Sequence, residues 1–446
     1  MKKLENIFQL ESSSDIQSWH NFFDSFNSQS GYKNLQIYFD ESFKGKSISK
    51  YTIYYPAIFD LKSKELVLRF LVTEINNIVA LLGASQIGLD GEIAVEVKKK
   101  LEDEFGYLLE LIDDFFGNKS PIATKPITKA SHASTVTLNI PTVTRPRLGI
   151  DVGGTSINIA LVNDHKIIQT IDFPSIKSEE TFSQFLERLN SIITATKWKK
   201  KFYGIGIAWF GDVANGSALL NADILQKRFK EKDLINRFPK TISDKHNVPV
   251  FIWGDIEVLG YYYAKKMNVQ NTWILRIGTS IGGAYIDNNY RFDPGLHQVG
   301  RVITHMEKGA FPHTSTKIPG MSQQYVTSHT LRRFLDQASL EYQTFGGPGE
   351  KLQNMLSSKT EEKVAKKIIQ EFAEELAILI SELSKHTPTS LIILSGSPIT
   401  GMLGEEILTS LNFELKNRRL EINTVKDMLP AKHAGSFTAA ELLAFS

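Results

Sequence analysis

An aspartate and two glycines interrupt an otherwise apolar stretch, LGIDVGGTSINIALV. Asp151 ends the first apolar run, and Gly153, Gly154 and Thr155 separate it from the second. Backbone amides in such a turn are not covered by side chains and can converge on phosphate oxygens. A carboxylate at a strand end can hold Mg²⁺, directly or through water, and so screen phosphate charge. The stretch therefore predicts a site for phosphate and Mg²⁺, with a plain hairpin turn as the alternative.

Two further strand ends carry similar turns. The stretch WILRIGTSIGGAYIDNN contains Gly278, Thr279, Gly282 and Gly283 after a strand-like run. The stretch LIILSGSPIT leads a strand-like run into Gly396. We expect two of these three turns to bind opposite sides of a nucleoside triphosphate and the third to run beside its base.

The elements that must position these turns alternate along residues 148–446. Short apolar runs have the length of strands, and amphipathic stretches such as EETFSQFLERLNSIITATKW and EEKVAKKIIQEFAEELAILISELSKH have helical spacing. Strands that alternate with helices predict an α/β fold. The predicted strands are 148–152, 156–162, 202–208, 249–253, 273–277 and 391–395.

The order and spacing of these motifs resemble the ROK family of sugar kinases, within the actin-like, hexokinase-type ATPase fold. GIDVGGTSINIAL and RIGTSIGGAYI are similar to the family's phosphate motifs, VPVFIWGDIEVLG to its catalytic segment, and LIILSGSPI to its adenosine segment. The resemblance implies two α/β lobes, roughly 148–255 and 256–446, with the C-terminal helix returning to the first lobe. It also implies ATP and Mg²⁺ as cofactors, a small-molecule sugar as substrate, and a homodimer.

Asp255 is the candidate catalytic residue, in the stretch FIWGDIE. Phosphoryl transfer to a sugar hydroxyl requires alignment, charge screening and a base near the attacking oxygen. A carboxylate at a strand end can serve as that base. The resemblance places Asp255 at the family's catalytic aspartate, and Gly254 where the family has a sugar-contacting asparagine. The alternative is that Asp255 only caps the following helix.

The predicted sugar-binding segments depart from the family's pattern. A Glu-x-Gly-His segment of the family matches Gln298 to Arg301 without a gap, and a gapped match would use His305 instead. A second glutamate of the family matches Gln323, and Asn221 is a looser sugar contact. An amide both donates and accepts, whereas a carboxylate only accepts, and arginine adds a permanent cation.

Arg301 leaves two interpretations open. It could select an anionic or modified sugar, or it could pair with a nearby carboxylate such as Asp212 or Asp293. The second is slightly favoured, because arginine commonly pairs with carboxylates.

The chain ahead of this region has a different character. Residues 1–116 predict a small α+β module, with no chemical motif and no helix-turn-helix pattern. In it, YTIYYPAIFDLKSKELVLRFLV predicts strands with a hairpin around Leu61–Ser63, and EIAVEVKKKLEDEFGYLLELIDDFF predicts a helix. Residues 117–147, rich in proline, serine and threonine, predict a linker.

Composition excludes several kinds of protein. The chain has 446 residues, of which 42% are hydrophobic and 22% charged, as in ordinary globular proteins. The net charge of +2 does not favour a nucleic-acid partner. The chain has no cysteine, which excludes disulfides and the zinc-binding cysteine cluster of the ROK family. Since no apolar run is long enough to cross a bilayer, we expect no membrane partner and a cytoplasmic location.

Two functions remain open from the sequence. The first is an ATP-dependent kinase for a sugar or amino sugar, with Asp255 as general base. The second is a sugar- or nucleotide-binding regulator on the same fold that has lost turnover. The altered sugar-contact positions favour the second, whereas the retained aspartates Asp151 and Asp255 and the phosphate turns favour the first.

Overall fold

The chain folds into two compact units. The first contains Met1–Thr135, Asn271–Gly283 and Leu296–Asp427. The second contains Val136–Gln270, Ala284–Gly295 and Met428–Ser446. The computed structural model describes residues 16–24, 32–41, 48–56, 61–128, 145–153, 156–176, 180–211, 213–214, 217–218, 231–288, 298–343, 346–427 and 434–442.

The N-terminal part of the first unit is a four-stranded sheet with helices, in the order β2-β1-β3-β4. β1 pairs antiparallel with both β2 and β3, and β4 pairs parallel with β3. This is the predicted α+β module. Its elements are α1 (Ile16–Asp24), β1 (Tyr32–Glu41), β2 (Ile48–Pro56), α2 (Leu61–Leu82), β3 (Ala84–Asp90), α3 (Ala94–Glu104), α4 (Gly106–Phe116) and β4 (Ile122–Ala123).

Two details of this module differ from the sequence-based expectation. The hairpin predicted around Leu61–Ser63 is wrong, because α2 is one continuous helix from that point. Most of α2 is buried, and its polar residues Glu74, Asn76 and Asn77 are buried with the apolar ones, so the sequence lacks the one-sided apolar pattern of a surface helix. The predicted linker also begins later than expected, since β4 still belongs to the sheet; residues 129–144 lie outside the described residues.

The second sheet of the first unit has the order β13-β12-β14-β15, and β14 pairs parallel with both β12 and β15. The long helix α11 packs against α1, α2 and α12. The boundary between the units falls inside β13, after Gly283. These elements are β12 (Thr272–Ile277), β13 (Ile281–Ile286), α9 (Ser328–Gln337), α10 (Pro348–Leu356), α11 (Glu362–His386), β14 (Leu391–Ser395), α12 (Gly401–Asn417) and β15 (Asn423–Lys426).

The second unit contains a five-stranded sheet in the order β11-β8-β5-β6-β7. β5, β8 and β11 run parallel, and β6 and β7 complete an antiparallel meander from β5. The six predicted strands are confirmed. Elements of this unit are β5 (Arg147–Val152), β6 (Ser156–Asn163), β7 (Lys166–Pro174), α5 (Phe182–Ala195), β8 (Ile205–Trp209), β9 (Val213–Ala214), β10 (Ser217–Ala218), α6 (Lys232–Asn236), α7 (Phe238–His246), β11 (Val250–Gly254), α8 (Asp255–Met267) and α13 (Ala434–Leu442).

The C-terminal helix α13 lies on β5, β6 and β8, in the same unit as these strands. Two glycines in the strands allow this contact. A Cβ on Gly149 would lie 1.6 Å from the carbonyl oxygen of Ser436, and one on Gly206 would lie 1.7 Å from that of Ala439. The compact units place α8 with β11, so they divide the chain after residue 270, whereas the sequence placed the lobe boundary after residue 255.

Among the described residues, no helix has the length and apolar character needed to cross a bilayer.

Candidate functional site

Asp151 lies at the carboxyl end of β5, close to the first turn of α13. A Cβ on Gly435 would lie 2.3 Å from the Oδ2 atom of Asp151, so the missing side chain makes room for the carboxylate. The start of a helix carries partial positive charge from its unpaired amides, which favours a carboxylate there. The local sequence therefore places a negative charge at the strand end and the helix start stabilises it.

The turn after Asp151 closes a hairpin between β5 and β6. The amide of Gly153 donates to the carbonyl oxygen of Ser156 at 3.0 Å, and the Ser175 hydroxyl donates to the carbonyl oxygen of Gly153. The hairpin alternative is therefore correct as a description of this turn. The Gly153 amide is used inside the hairpin, so phosphate oxygens would have to meet other amides.

Asp255 lies past the end of β11 as the first residue of α8, with Gly254 in the N-cap position. In the strand register, both Asp151 and Trp253 align with Ala208 of β8. The carboxyl ends of β5 and β11, on either side of β8, thus lie at the same end of the sheet, and Asp255 follows two residues after Trp253. With strands about 4.8 Å apart and a rise of about 3.3 Å per residue, the backbones of the two aspartates are separated by roughly 12 Å.

Glu257 lies beside Asp255 and Gly254 and was not identified from the sequence. Its carboxylate folds back over Gly254, because a Cβ on that glycine would lie 1.7 Å from Glu257 Oε2. The Glu257 side chain is buried. The only local signal was an acid two positions after Asp255, and that spacing alone does not show where the carboxylate turns.

In the first unit, the carboxyl ends of two neighbouring parallel strands carry the other glycine turns. Gly278 follows β12 and Gly396 follows β14, with Arg276 and Ser395 in register. Gly396 has a φ of +107°, and a Cβ there would lie 1.8 Å from the carbonyl oxygen of Ile277. The two turns are therefore packed side by side, and the glycine is required by this close approach.

The structure corrects the expectation for Gly282 and Gly283, which lie within β13 and not in the turn. A Cβ on Gly283 would lie 2.3 Å from Val299 Cγ2. Its missing side chain therefore permits strand packing. The exposed residues at the tip of the turn are Thr279 and Ser280.

Gln298, Arg301 and Gln323 lie together in the first unit, on two short 3₁₀ turns at 299–301 and 322–324. The Ser322 amide donates to the carbonyl oxygen of Val302 at 2.7 Å and joins the two turns. The amide oxygen of Gln323 lies 2.9 Å from the position of a Cβ on Gly300. Gln323, from the second segment, thus lies beside the turn of the ungapped match, which carries Gln298 and Arg301.

His305, the residue of the gapped alternative, is buried and held in another way. Its Nε2 atom lies 3.1 Å from Glu375 Oε2, and its ring stacks on Tyr325 with 3.7 Å between the ring centres.

The predicted site residues thus form one set in each unit. Asp151, Gly153, Gly254 and Asp255 belong to the second unit, and Gly278, Thr279, Gly282, Gly283, Gln298, Arg301, Gln323 and Gly396 belong to the first. Gly154, Thr155 and Asn221 lie outside the described residues, as do Asp212 and Asp293.

Comparison with known proteins gives one family. Residues 147–440 match the sequence profile of the ROK family. A fructokinase from Lactococcus lactis subsp. cremoris is 25% identical over 146 residues, which cover 32% of this chain and 46% of that protein. The match therefore spans about half the length of this curated relative.

Solved structures share the fold at low identity. A putative N-acetylmannosamine kinase from Listeria monocytogenes is 18% identical, with a TM-score of 0.53, and covers 67% of this chain and 98% of its own. A ROK family glucokinase from Streptomyces griseus, solved with glucose and AMPPNP, is 16% identical with a TM-score of 0.52 and covers 67% and 98%. A ROK family transcriptional regulator, a homologue of the E. coli MLC protein, is 11% identical with a TM-score of 0.55 and covers 85% and 97%.

The matched structures share the two-lobed, actin-like, hexokinase-type ATPase fold, which in this chain is preceded in sequence by a small α+β domain. Since the profile match also spans more than half of the chain, the protein belongs to the ROK family.

Proposed function

We propose that the protein transfers a phosphoryl group from ATP to a hydroxyl of a sugar or sugar derivative, with Asp255 as the general base. The observation that carries this proposal is the placement of Asp151 near the end of β5 and of Asp255 directly after β11, at one end of the sheet and on either side of β8. In α/β sheets, ligands bind outside the carboxyl ends of the strands. Family membership and the structural likeness to sugar kinases support the same reaction.

Asp255 is proposed as the base because of its position at the start of α8. Because Gly254 takes the N-cap position, the carboxylate of Asp255 is not needed as the cap of α8. The start of the helix favours the ionised form. An ionised carboxylate next to the attacking oxygen accepts the hydroxyl proton as the new P–O bond forms.

Asp151 is the residue that would hold Mg²⁺, directly or through water. Carboxylate oxygen is the ligand type that Mg²⁺ prefers, and the ion supplies charge screening for the phosphates when bound. The Gly278 amide donates to the Ser280 carbonyl oxygen at 2.9 Å. We therefore assign phosphate contacts in that turn to the exposed Thr279 and Ser280, and place the base of ATP near Gly396.

Gln298, Arg301 and Gln323 form the proposed acceptor site. Within the described part of the chain, Arg301 makes no ion pair, and its guanidinium lies over the ring of Tyr107 at 5.6 Å. A permanent cation at this position would suit an acceptor with an acidic or otherwise modified group. Pairing of Arg301 with Asp212 or Asp293, both outside the described residues, is the other interpretation. A neutral hexose as best acceptor, unaffected by Arg301→Ala, would exclude that substrate class.

The test is ADP release with Mg²⁺ and ATP against hexoses, amino sugars, sugar acids and sugar phosphates. Asp255→Asn should reduce kcat by about 10²- to 10⁴-fold, the usual contribution of a general base, while ATP still raises the melting temperature. Asp244→Asn is the matched control, since that aspartate is 67% exposed on α7 of the same unit. Transfer that survives in Asp255→Asn would refute the assigned role.

A regulator that binds a sugar or nucleotide without turnover is the second candidate. The likeness to a ROK family transcriptional regulator extends over 85% of this chain, against 67% for the kinases. Glutamine at positions 298 and 323 also weakens the expected grip on sugar hydroxyls. No ADP release across the panel, together with a thermal shift by ATP or a sugar, would favour this function.

A further inference from the structure

Helix α2 of the N-terminal module runs beside the segment that carries the proposed acceptor residues. Both belong to the first unit. The carbonyl oxygen of Ala80 accepts a hydrogen bond from the backbone N–H of Gln298 at 2.9 Å. Asn76 Nδ2 donates to the carbonyl oxygen of Arg301 at 3.0 Å. The module therefore contacts the backbone at both ends of the 3₁₀ turn.

Asn77 makes a two-sided contact with the next part of this segment. Its Nδ2 atom donates to the carbonyl oxygen of Ile303 at 2.9 Å, and its Oδ1 atom accepts from the Ile303 amide at 2.8 Å. The side-chain amide of Asn77 thus pairs with both backbone groups of Ile303, as a neighbouring β-strand would. Asn77 is fully buried, so no water can take over these bonds.

The Arg301 side chain is held by the same module. Its guanidinium lies over the ring of Tyr107, and the Tyr107 hydroxyl donates to Asn76 Oδ1. Burial raises the pKa of Tyr107, so the hydroxyl keeps its proton. Asn76 therefore bonds both to the backbone of Arg301 and to Tyr107, the residue whose ring lies under the Arg301 guanidinium.

A buried ionic network fixes α2 from the opposite direction. Asn77 Nδ2 also donates to Glu382 Oε1 on α11 at 2.8 Å, and Lys385 Nζ lies 2.6 Å from Glu74 Oε2. His20 Nε2 lies 2.9 Å from Glu382 Oε2 and 3.3 Å from Glu74 Oε1. His20, Glu74 and Glu382 have the spacing of a metal site. The ammonium of Lys385 is 3.0 Å from His20 Nε2, so we assign the cluster to ion pairing.

We propose that Asn76 and Asn77 are positioning residues for the acceptor: they hold the Gln298–Ile303 segment so that Gln298 and Arg301 meet the sugar. The inference rests on the proposed function, because it assigns the N-terminal module to that same acceptor site. The hydrogen bonds from Asn76, Asn77 and Ala80 end on Gln298, Arg301 and Ile303. They do not involve the turns at Gly278 and Gly396, which are proposed to bind ATP. Loss of the two asparagines should therefore change acceptor binding and leave ATP binding unchanged.

The test compares Asn76→Ala and Asn77→Ala with Asn118→Ala. Asn118 is the matched control, since its Nδ2 atom donates to a backbone carbonyl oxygen inside the module, that of Ser85, away from the acceptor segment. We expect Asn76→Ala to raise the acceptor KM about tenfold, the scale of the hydrogen bond to the Arg301 carbonyl oxygen; the bond from the Tyr107 hydroxyl is lost with it. The KM for ATP and kcat should stay within about twofold of wild type.

Hydrogen exchange provides a readout that does not depend on turnover. Amides of residues 298–303 should exchange about tenfold faster in both test variants, because the segment loses hydrogen bonds to α2, and at the wild-type rate in Asn118→Ala. Unchanged exchange in this segment, or an unchanged acceptor KM, overturns the inference. If Asn77→Ala does not fold, Asn76→Ala decides. A wild-type chain without transfer to any acceptor refutes the proposed function instead, and exchange still shows whether the module holds the segment.

Discussion

Gly435→Ala tests whether the start of α13 determines the position of Asp151. The added Cβ would lie 2.3 Å from Asp151 Oδ2 and 2.7 Å from Cγ, against the 3.4 Å at which ordinary van der Waals contact begins. Either the carboxylate or the first turn of the helix must therefore move by about 1 Å. We expect the carboxylate to move, because the helix is held over β5 and β8 along its length.

The magnitudes separate activity from stability. An alanine in place of glycine within a helix stabilises by up to about 1 kcal/mol, and overpacking costs about 1–3 kcal/mol. The two effects partly cancel, so the free energy of unfolding should fall by no more than about 2 kcal/mol. A displacement of 1 Å at a catalytic group can reduce activity about 10²-fold. We therefore expect kcat/KM with Mg²⁺ and ATP to fall by about two orders of magnitude in a folded protein.

Gly106→Ala is the matched control, because Gly106 begins α4 and an added Cβ there meets no atom within 4 Å. That variant should be as active as wild type and slightly more stable. ADP release and thermal unfolding measure both variants. Wild-type turnover in Gly435→Ala together with a lowered melting temperature would show that the helix moves instead, and would refute the reasoning about Asp151.

Two further predictions concern stability. Gly149→Ala should lower the free energy of unfolding by about 3 kcal/mol, the upper end of overpacking, because the added Cβ would lie 1.6 Å from a carbonyl oxygen of α13; a loss below about 1 kcal/mol in chemical denaturation would contradict this packing. Burial and the Lys385 ammonium lower the pKa of His20, but the carboxylates of Glu74 and Glu382 outweigh them and raise the pKa above its ordinary value of 6.5. The stability this proton provides is complete below pH 6.5 and is lost as the pH rises through the folded-state pKa. His20→Gln should make the melting temperature less dependent on pH in that range, whereas a substitution of the exposed His329 should leave the dependence unchanged. Equal pH dependence of the melting temperature in wild type and His20→Gln would contradict the assigned network.

Much of the fold could be predicted because its signals are local. The strands β5, β6, β8, β11, β12 and β14 each carry a short run of branched apolar residues, and α5 and α11 repeat apolar residues at helical spacing. The hairpin predicted at the start of α2 was wrong because most of this helix is buried, polar residues included, and it lacks the exposed polar face that marks a surface helix. Val95 and Val364, which lie in stretches with helical spacing, are 68% and 41% exposed, so the apolar residues of such a stretch do not all face the core.

The candidate site was predictable only where a motif stays together along the chain. Asp151, Asp255 and the glycine turns could be proposed from the sequence because each lies at the end of an apolar, strand-like run. Two contacts were not predicted. The contact of Glu257 with Gly254 depends on the side-chain conformation of Glu257, and that of Gly435 with Asp151 depends on where the last helix packs.

The sequence by itself determined the family, the α/β alternation and the acids at the strand ends, since all of these are read from neighbouring residues. Only the tertiary structure decided which surfaces meet. The Asn76 side chain contacts Arg301 across 225 positions of the chain, and α13 reaches β5 across a similar distance. Such contacts depend on packing between distant elements, and periodicity within one element does not specify its partner.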